Sequence, residues 1–132
     1  MPIERHNPDS VYKPGPYSQA VTVTGGRLLL LAGQAAADAE GGFVGVGDLR
    51  AQTTQALENI KAILASFDAD FSHVVKLTMY IVNYHPDKLP LIIDVLGTYI
   101  DMSSPPANTV LGVQSLARSE FLIEIEAIAA LD

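Results

Sequence analysis

The chain contains no cysteine and no tryptophan. The first absence excludes a disulfide framework, a thiolate nucleophile and a thiolate metal site. Charge is also scarce: 17% of the 132 residues are Asp, Glu, Lys or Arg, against about 25% in an ordinary soluble domain. The four arginines and four lysines are scattered, and fifteen acidic residues outweigh them to a net −7. A phosphate backbone is gripped by clustered positive charge, so nucleic acid is not an expected partner. No apolar run reaches the roughly 20 residues that span a bilayer, and no membrane association is expected. The first residues, Met1-Pro2-Ile3-Glu4-Arg5-His6, lack the basic-then-apolar layout of a signal peptide, which leaves the cytoplasm as the expected location. Also missing are G-x-S-x-G, G-x-x-x-x-G-K-[ST] and a G-x-G-x-x-G that follows a strand. His6, His73 and His85 do not fall at metal-ligand spacing, and no metal is expected. Gly45-Val46-Gly47 before a helix has an anion cradle's look, but nothing around it completes the motif, and it reads as a flexible loop.

What is abundant is apolar surface, at 48% of the residues. A chain of this length, short of charge, has too few polar side chains to cover itself. Burial against further copies of itself is the expected remedy. The length suits one domain over residues 1–132, with no repeat or linker to divide it.

Along the chain, residues 7–19 carry Pro8, Pro14, Gly15 and Pro16 and read as an ordered loop. Ala20–Val23 and Leu28–Ala32 flank Thr24-Gly25-Gly26-Arg27, the pattern of a hairpin. Leu28–Leu31 is continuously apolar, as in a strand covered on both faces. A helix is predicted over Leu49–Phe67, capped by Asp48. Its stripe is Leu49, Thr53, Ala56, Leu57, Ile60, Ile63, Leu64 and Phe67, with Gln52, Gln55, Glu58 and Lys61 off it. Val74–Tyr84 alternates as a strand. A second helix is predicted over Lys88–Ile100, with Asp87 as its cap and Pro90 in the first turn. It is apolar nearly all round, which requires burial on more than one side. Asn108–Val113 and Phe121–Ala129 are the last strands. The order implies an α+β domain with two helices packed on one face of a mixed sheet.

Three features carry possible chemistry. Gly15-Pro16-Tyr17-Ser18-Gln19 is a rigid loop presenting a phenol. Glu124 and Glu126 share a strand face with Leu122 and Ile128; they are either solvated rim residues or carboxylates in a partly apolar site able to handle a proton or a water. Pro105-Pro106-Ala107-Asn108-Thr109 turns a loop into a strand and can set backbone N–H groups and Asn108 at a cleft.

Taken together, Gly15-Pro16-Tyr17-Ser18-Gln19-Ala20, Gly33-Gln34, Gln52-Thr53 with Leu57, Asn59 and Ile60, Val74-Val75-Lys76 with Thr78 and Tyr80, Tyr99, Pro106-Ala107 and Glu124-Ile125-Glu126-Ala127-Ile128-Ala129 resemble the Rid family, the RidA-like or YjgF-type reactive-intermediate deaminases, over roughly residues 15 to 129. The resemblance implies a chorismate-mutase-like fold assembled as a homotrimer, with small-molecule clefts between subunits. Active members hydrolyse small enamines and imines to ketoacids and ammonia without a cofactor. It further implies a catalytic, water-handling role for Glu124, with Tyr17 and Gly33 lining the cleft. At the position of the family's carboxylate-gripping arginine stands Asn108, an amide unable to form a charged fork. Asn108 is then a substrate-binding residue of a different kind, and Arg118 is a possible replacement cation. Two functions follow from this sequence: hydrolytic deamination of a small reactive imine, enamine or related metabolite, or a non-catalytic trimer that binds a small metabolite. A ribonuclease role fits poorly with an acidic chain that has no basic stripe.

Overall fold

The computed structural model describes residues 3–132; Met1 and Pro2, the start of the segment read above for a signal peptide, lie outside the described residues. The order of elements is β1 (Ile3–His6), β2 (Ala20–Val23), β3 (Arg27–Gln34), α1 (Leu49–Ala65), β4 (Val74–Val82), α2 (Leu89–Leu96), β5 (Ala107–Val113) and β6 (Ile123–Leu131), with single 3₁₀ turns before β4 and before α2. Four strands form one sheet in the order β3-β6-β4-β5, and β1 and β2 form a separate ribbon. The β4–β5 pairing is parallel and the others in the sheet are antiparallel, which makes the sheet mixed as expected.

Alternation builds the core. Leu77, Met79 and Ile81 of β4 and Ile123, Ile125 and Ala127 of β6 turn inward and pack against Ala56, Leu57, Ile60 and Leu64 of α1 and Ile92, Val95 and Leu96 of α2. Burying the Leu, Ile, Val and Met side chains among these contributes about 1.5–3 kcal/mol each relative to exposure. Asp48 caps α1 as expected, its side chain accepting from the Ala51 N–H at 3.1 Å. The helix ends at Ala65, and Phe67 stands exposed beyond it.

Four expectations need correction. Thr24–Arg27 does not close a hairpin: β2 pairs with β1, and β3 pairs with β6. The paired positive φ values of Gly25 and Gly26 turn the chain out of one sheet and into the other. Second, β3 is covered on one face only, with Leu28 and Leu30 63% and 71% exposed. Third, α2 is shorter than its apolar run. Residues 86–88 form a 3₁₀ turn in which His85, not Asp87, accepts the capping hydrogen bond, and Lys88 precedes α2 without a side-chain cap. Proline at the second position of α2 removes an N–H that needs no cap. Fourth, the loop with Gly45 and Gly47 is pinned rather than loose. Gly45 has φ +64°, and a Cβ there would stand 2.6 Å from that of Ala51.

Candidate functional site

The Gly-Pro-Tyr loop is tied to the start of β5. Ser18, 2% exposed, donates its N–H to the Pro106 carbonyl at 2.9 Å and its hydroxyl to the Pro105 carbonyl at 2.6 Å. Upstream, the Gln19 N–H donates to Asn7 and the Gln19 amide to the Tyr12 carbonyl. Three prolines and these bonds hold Tyr17 beside Asn108. Both line a cavity of about 360 Å³ with Tyr84 from after β4, Leu89 and Ile93 of α2, and Val110 of β5. None of its lining side chains carries a charge. The Asn108 Nδ2 contacts the sulfur of buried Met79 at 3.9 Å, and Oδ1 is buried without a hydrogen-bond partner among the described residues. A thioether is a weak acceptor, so whichever way the amide is oriented it is under-satisfied by the protein alone. Leu96, at the position where the resemblance implies a helix asparagine in active members, is buried in the core.

Glu124 lies at the other side of the sheet. It is half-buried between the inward Ile123 and Ile125 and faces the uncovered surface of β6. Its neighbour β3 carries an irregularity: pairing steps from Leu31–Ala127 to Gln34–Ile125, three residues against two. This bulge brings Gly33 under the carboxylate, where a Cβ would meet Oε2 and lie 2.7 Å from Cδ. Glycine is required here by close approach rather than by a turn. The carboxylate has no hydrogen-bond partner among the described residues and lines a cavity of about 490 Å³ with Gly33, Gln34, Asn59, Ala62 and Phe121.

Polar side chains of α1 build the walls of this second cavity. Asn59 donates to the carbonyls of Ala35 and Ala37 at 3.1 and 3.0 Å and is itself held by Gln55. Gln52, 1% exposed, donates to the Gly45 and Glu120 carbonyls and accepts the Leu122 N–H at 2.8 Å. Phe43 meets Phe121 edge-on at 5.4 Å. The loop from Asp38 to Gly47 is thereby fastened to both α1 and the lead-in of β6. Hydropathy places Gln52 off the apolar stripe, and its burial is missed on that ground; the usable signal is an amide adjoining buried Thr53 in a helix that must cover a sheet.

Glu126 does not join Glu124 in a cavity. It accepts a hydrogen bond from the Tyr80 phenol on the same uncovered face. That bond, then desolvation and the charges of Glu126 and Glu124, hold the phenol above its ordinary value. Of the residues singled out in the sequence, the structure pairs Tyr17 with Asn108 and Gly33 with Glu124, in cavities that share no lining residue. Arg118 lines neither; it borders a separate cleft with Val82 and Leu116. No group of three or more His, Asp or Glu side chains among the described residues could hold a metal ion. His6, His73 and His85 contact Thr22, Asp70 and Asp87 respectively.

Comparison with known proteins bears on this arrangement. The family model described as Endoribonuclease L-PSP matches residues 8–131. The chain is 38% identical to Protein DfrA of Myxococcus xanthus over 115 residues, 87% of this chain and 85% of that one. It is 34% identical over 118 residues to the 2-iminobutanoate/2-iminopropanoate deaminase of Dermatophagoides farinae, covering 89% and 88%. A crystal structure from Yersinia pestis, of a protein of unknown function in the conserved Rid family, superposes with a TM-score of 0.91 at 42% identity, covering 99% of this chain and all of that one. No helix among the described residues is long and apolar enough to cross a membrane.

Proposed function

The chain belongs to the Endoribonuclease L-PSP family, which takes in the Rid proteins, and on that premise we propose that it hydrolyses a small reactive imine or enamine at clefts between the subunits of a cytoplasmic homotrimer. The observation that carries this reading is the division of the candidate residues. Tyr17 and Asn108 lie at β5, one edge of the sheet, while Gly33 and Glu124 lie at β3 and its neighbour β6, towards the other. A complete site forms when the β5 side of one copy meets the β3 side of the next, a head-to-tail contact that closes into a ring. The exposed Leu28 and Leu30 support such an assembly, because large apolar side chains on an open sheet face gain from being covered.

In this site the chemistry belongs to the chain's own residues. Tyr17 and the apolar wall from Tyr84, Leu89 and Ile93 hold the substrate's body. Asn108 meets its polar end with an uncharged amide. The Glu124 carboxylate, without a hydrogen-bond partner among the described residues, accepts a proton from water as the oxygen adds to the imine carbon. That proton passes to nitrogen to give a carbinolamine, and the carboxylate then carries the hydroxyl proton to nitrogen as the C–N bond breaks, giving a carbonyl compound and ammonia. No cofactor is required by these steps. The scattered cations of a net-negative chain favour this reading over nucleic acid as substrate.

A second reading rests on Asn108. Without a cation in the first cavity, the chain suits a trimer that binds a small metabolite and does not turn it over. Ammonia release from 2-iminopropanoate generated in situ, compared between the native protein and Glu124→Gln, separates the two. Turnover that Glu124→Gln abolishes supports the hydrolase. Ligand binding without turnover in either protein supports the binding trimer.

A further inference from the structure

A third cavity, of about 440 Å³, lies away from both half-sites, between the β1 strand, the turn before β4 and the segment after α2. Arg5 of β1 lines it, as do Lys61 of α1, Asp70, Asp101, and the apolar side chains of Phe71 and Ile100. Arg5 reaches across to the Ser72 carbonyl through Nη2 at 3.4 Å, a long bond, and its Nε is buried with no acceptor among the described residues. A buried guanidinium N–H without an acceptor is costly, because the donor has been taken from water and given nothing in return. The Lys61 ammonium likewise has no hydrogen bond or ion pair among the described residues.

The two carboxylates are half used. Asp70 accepts the Ser72 N–H and hydroxyl through Oδ1, and Asp101 accepts the Ser103 N–H and hydroxyl through Oδ1. In both, Oδ2 accepts no hydrogen bond among the described residues. Those serine bonds, with Arg5 contributing at Asp101, hold both carboxyls below their ordinary values, so both are anionic at neutral pH. The cavity therefore offers a guanidinium with one buried N–H lacking an acceptor, the solvent-exposed ammonium of Lys61, two carboxylate oxygens and an apolar patch.

A simple anion would meet the cations but face two carboxylates, and a simple cation would face the reverse. A molecule carrying both charges a few ångströms apart satisfies each set. We propose that this cavity binds a free α-amino acid with an apolar side chain, its carboxylate on Arg5 and Lys61, its ammonium on Asp70 and Asp101, and its side chain on Phe71 and Ile100. The site is independent of the hydrolytic reading and of the Glu124 cavity.

Calorimetric titration of the full-length protein with L-leucine tests this, with 4-methyl-2-oxopentanoate and 3-methylbutylamine as analogues lacking one charge each. The expected result is saturable binding of L-leucine at one site per chain. Binding should weaken at least tenfold for either analogue and in Arg5→Gln and Asp101→Asn, and stay unchanged in Glu124→Gln. Lys61→Gln alters an exposed helix position and keeps the test valid should Arg5→Gln fail to fold; it should weaken binding several-fold. The proposal is overturned if no saturable heat is seen up to about 10 mM, if the oxo acid binds as tightly as the amino acid, if the Lys61 and Asp101 variants bind normally, or if Glu124→Gln abolishes binding.

Discussion

The carboxylate of Glu124 rests on the bare Cα of Gly33, in the space that any other residue at position 33 would fill with its Cβ. Gly33 has no positive φ, so alanine is tolerated by the backbone there and the collision falls on the carboxylate. Gly33→Ala should leave the fold intact, with stability changed by no more than about 1 kcal/mol, while swinging Glu124 out of position. On the proposed hydrolysis, turnover should drop at least tenfold, and KM should change less than kcat, because the group proposed to handle the water and not the proposed binding wall has moved. Steady-state kinetics beside thermal denaturation check it.

Gln52 ties the loop at Gly45 to the segment that carries Glu120 and Leu122. Truncating it removes the partner of three part-buried backbone groups. Gln52→Ala should lower stability by about 2–4 kcal/mol, read as a shift of the urea midpoint. Because Leu122 leads directly into the strand that carries Glu124, turnover should fall as well, even below the unfolding transition.

Asn108 stands in a cavity with no charged lining. Asn108→Arg should increase affinity for carboxylated imines and their oxo-acid products by about ten- to a hundredfold, the difference between a neutral and a charge-assisted hydrogen bond. Affinity for uncharged amides of the same carbon skeleton should not rise. Titration with both classes of ligand measures the two effects.

Tyr99 provides a pH-dependent term. Its phenol is pushed up to about 12, chiefly by burial and then by donating to Glu58 at 2.7 Å. In the unfolded chain a tyrosine ionises near its reference value of about 10. Between those values the folded state retains a proton that the unfolded state has lost, so stability falls as pH rises through this window. Below it the contribution is fully present. Tyr99→Phe should flatten the loss of stability between about pH 10 and 12 by one proton's worth of slope, measured by denaturant titration at stepped pH.

Where one physical rule acted alone, the sequence could be read closely. Alternation located β4 and β6, and the α1 stripe and its Asp48 cap lie where periodicity and capping place them. The partner of β3 was illegible because two glycines flanked by strands signal a turn but not which edge the chain rejoins; β6, a hundred residues later, takes the place of β2. Leu28 and Leu30 read as buried because hydropathy does not distinguish cover within a chain from cover by another. Tyr17, Asn108 and Glu124 stand out in the residues themselves, while Gly33 and the roles of all four come from the family resemblance. Their separation into two cavities depends on sheet order, which no local pattern encodes. Gln52 and Asn59 were quoted within that resemblance, but their role as clamps emerges only from the carbonyls they reach.

The central claim is that Glu124 of one subunit works with Tyr17 and Asn108 of its neighbour. Mixing two silent variants, Glu124→Gln and the double variant Tyr17→Ala/Asn108→Ala, through reversible unfolding and reassembly at equal ratio tests it most directly. Sites drawn from adjacent subunits regain both intact halves in about a quarter of cases, so ammonia release should recover to about a quarter of the native rate. Mixed oligomers that form and remain as silent as their parents would contradict the claim and place the whole site within one chain.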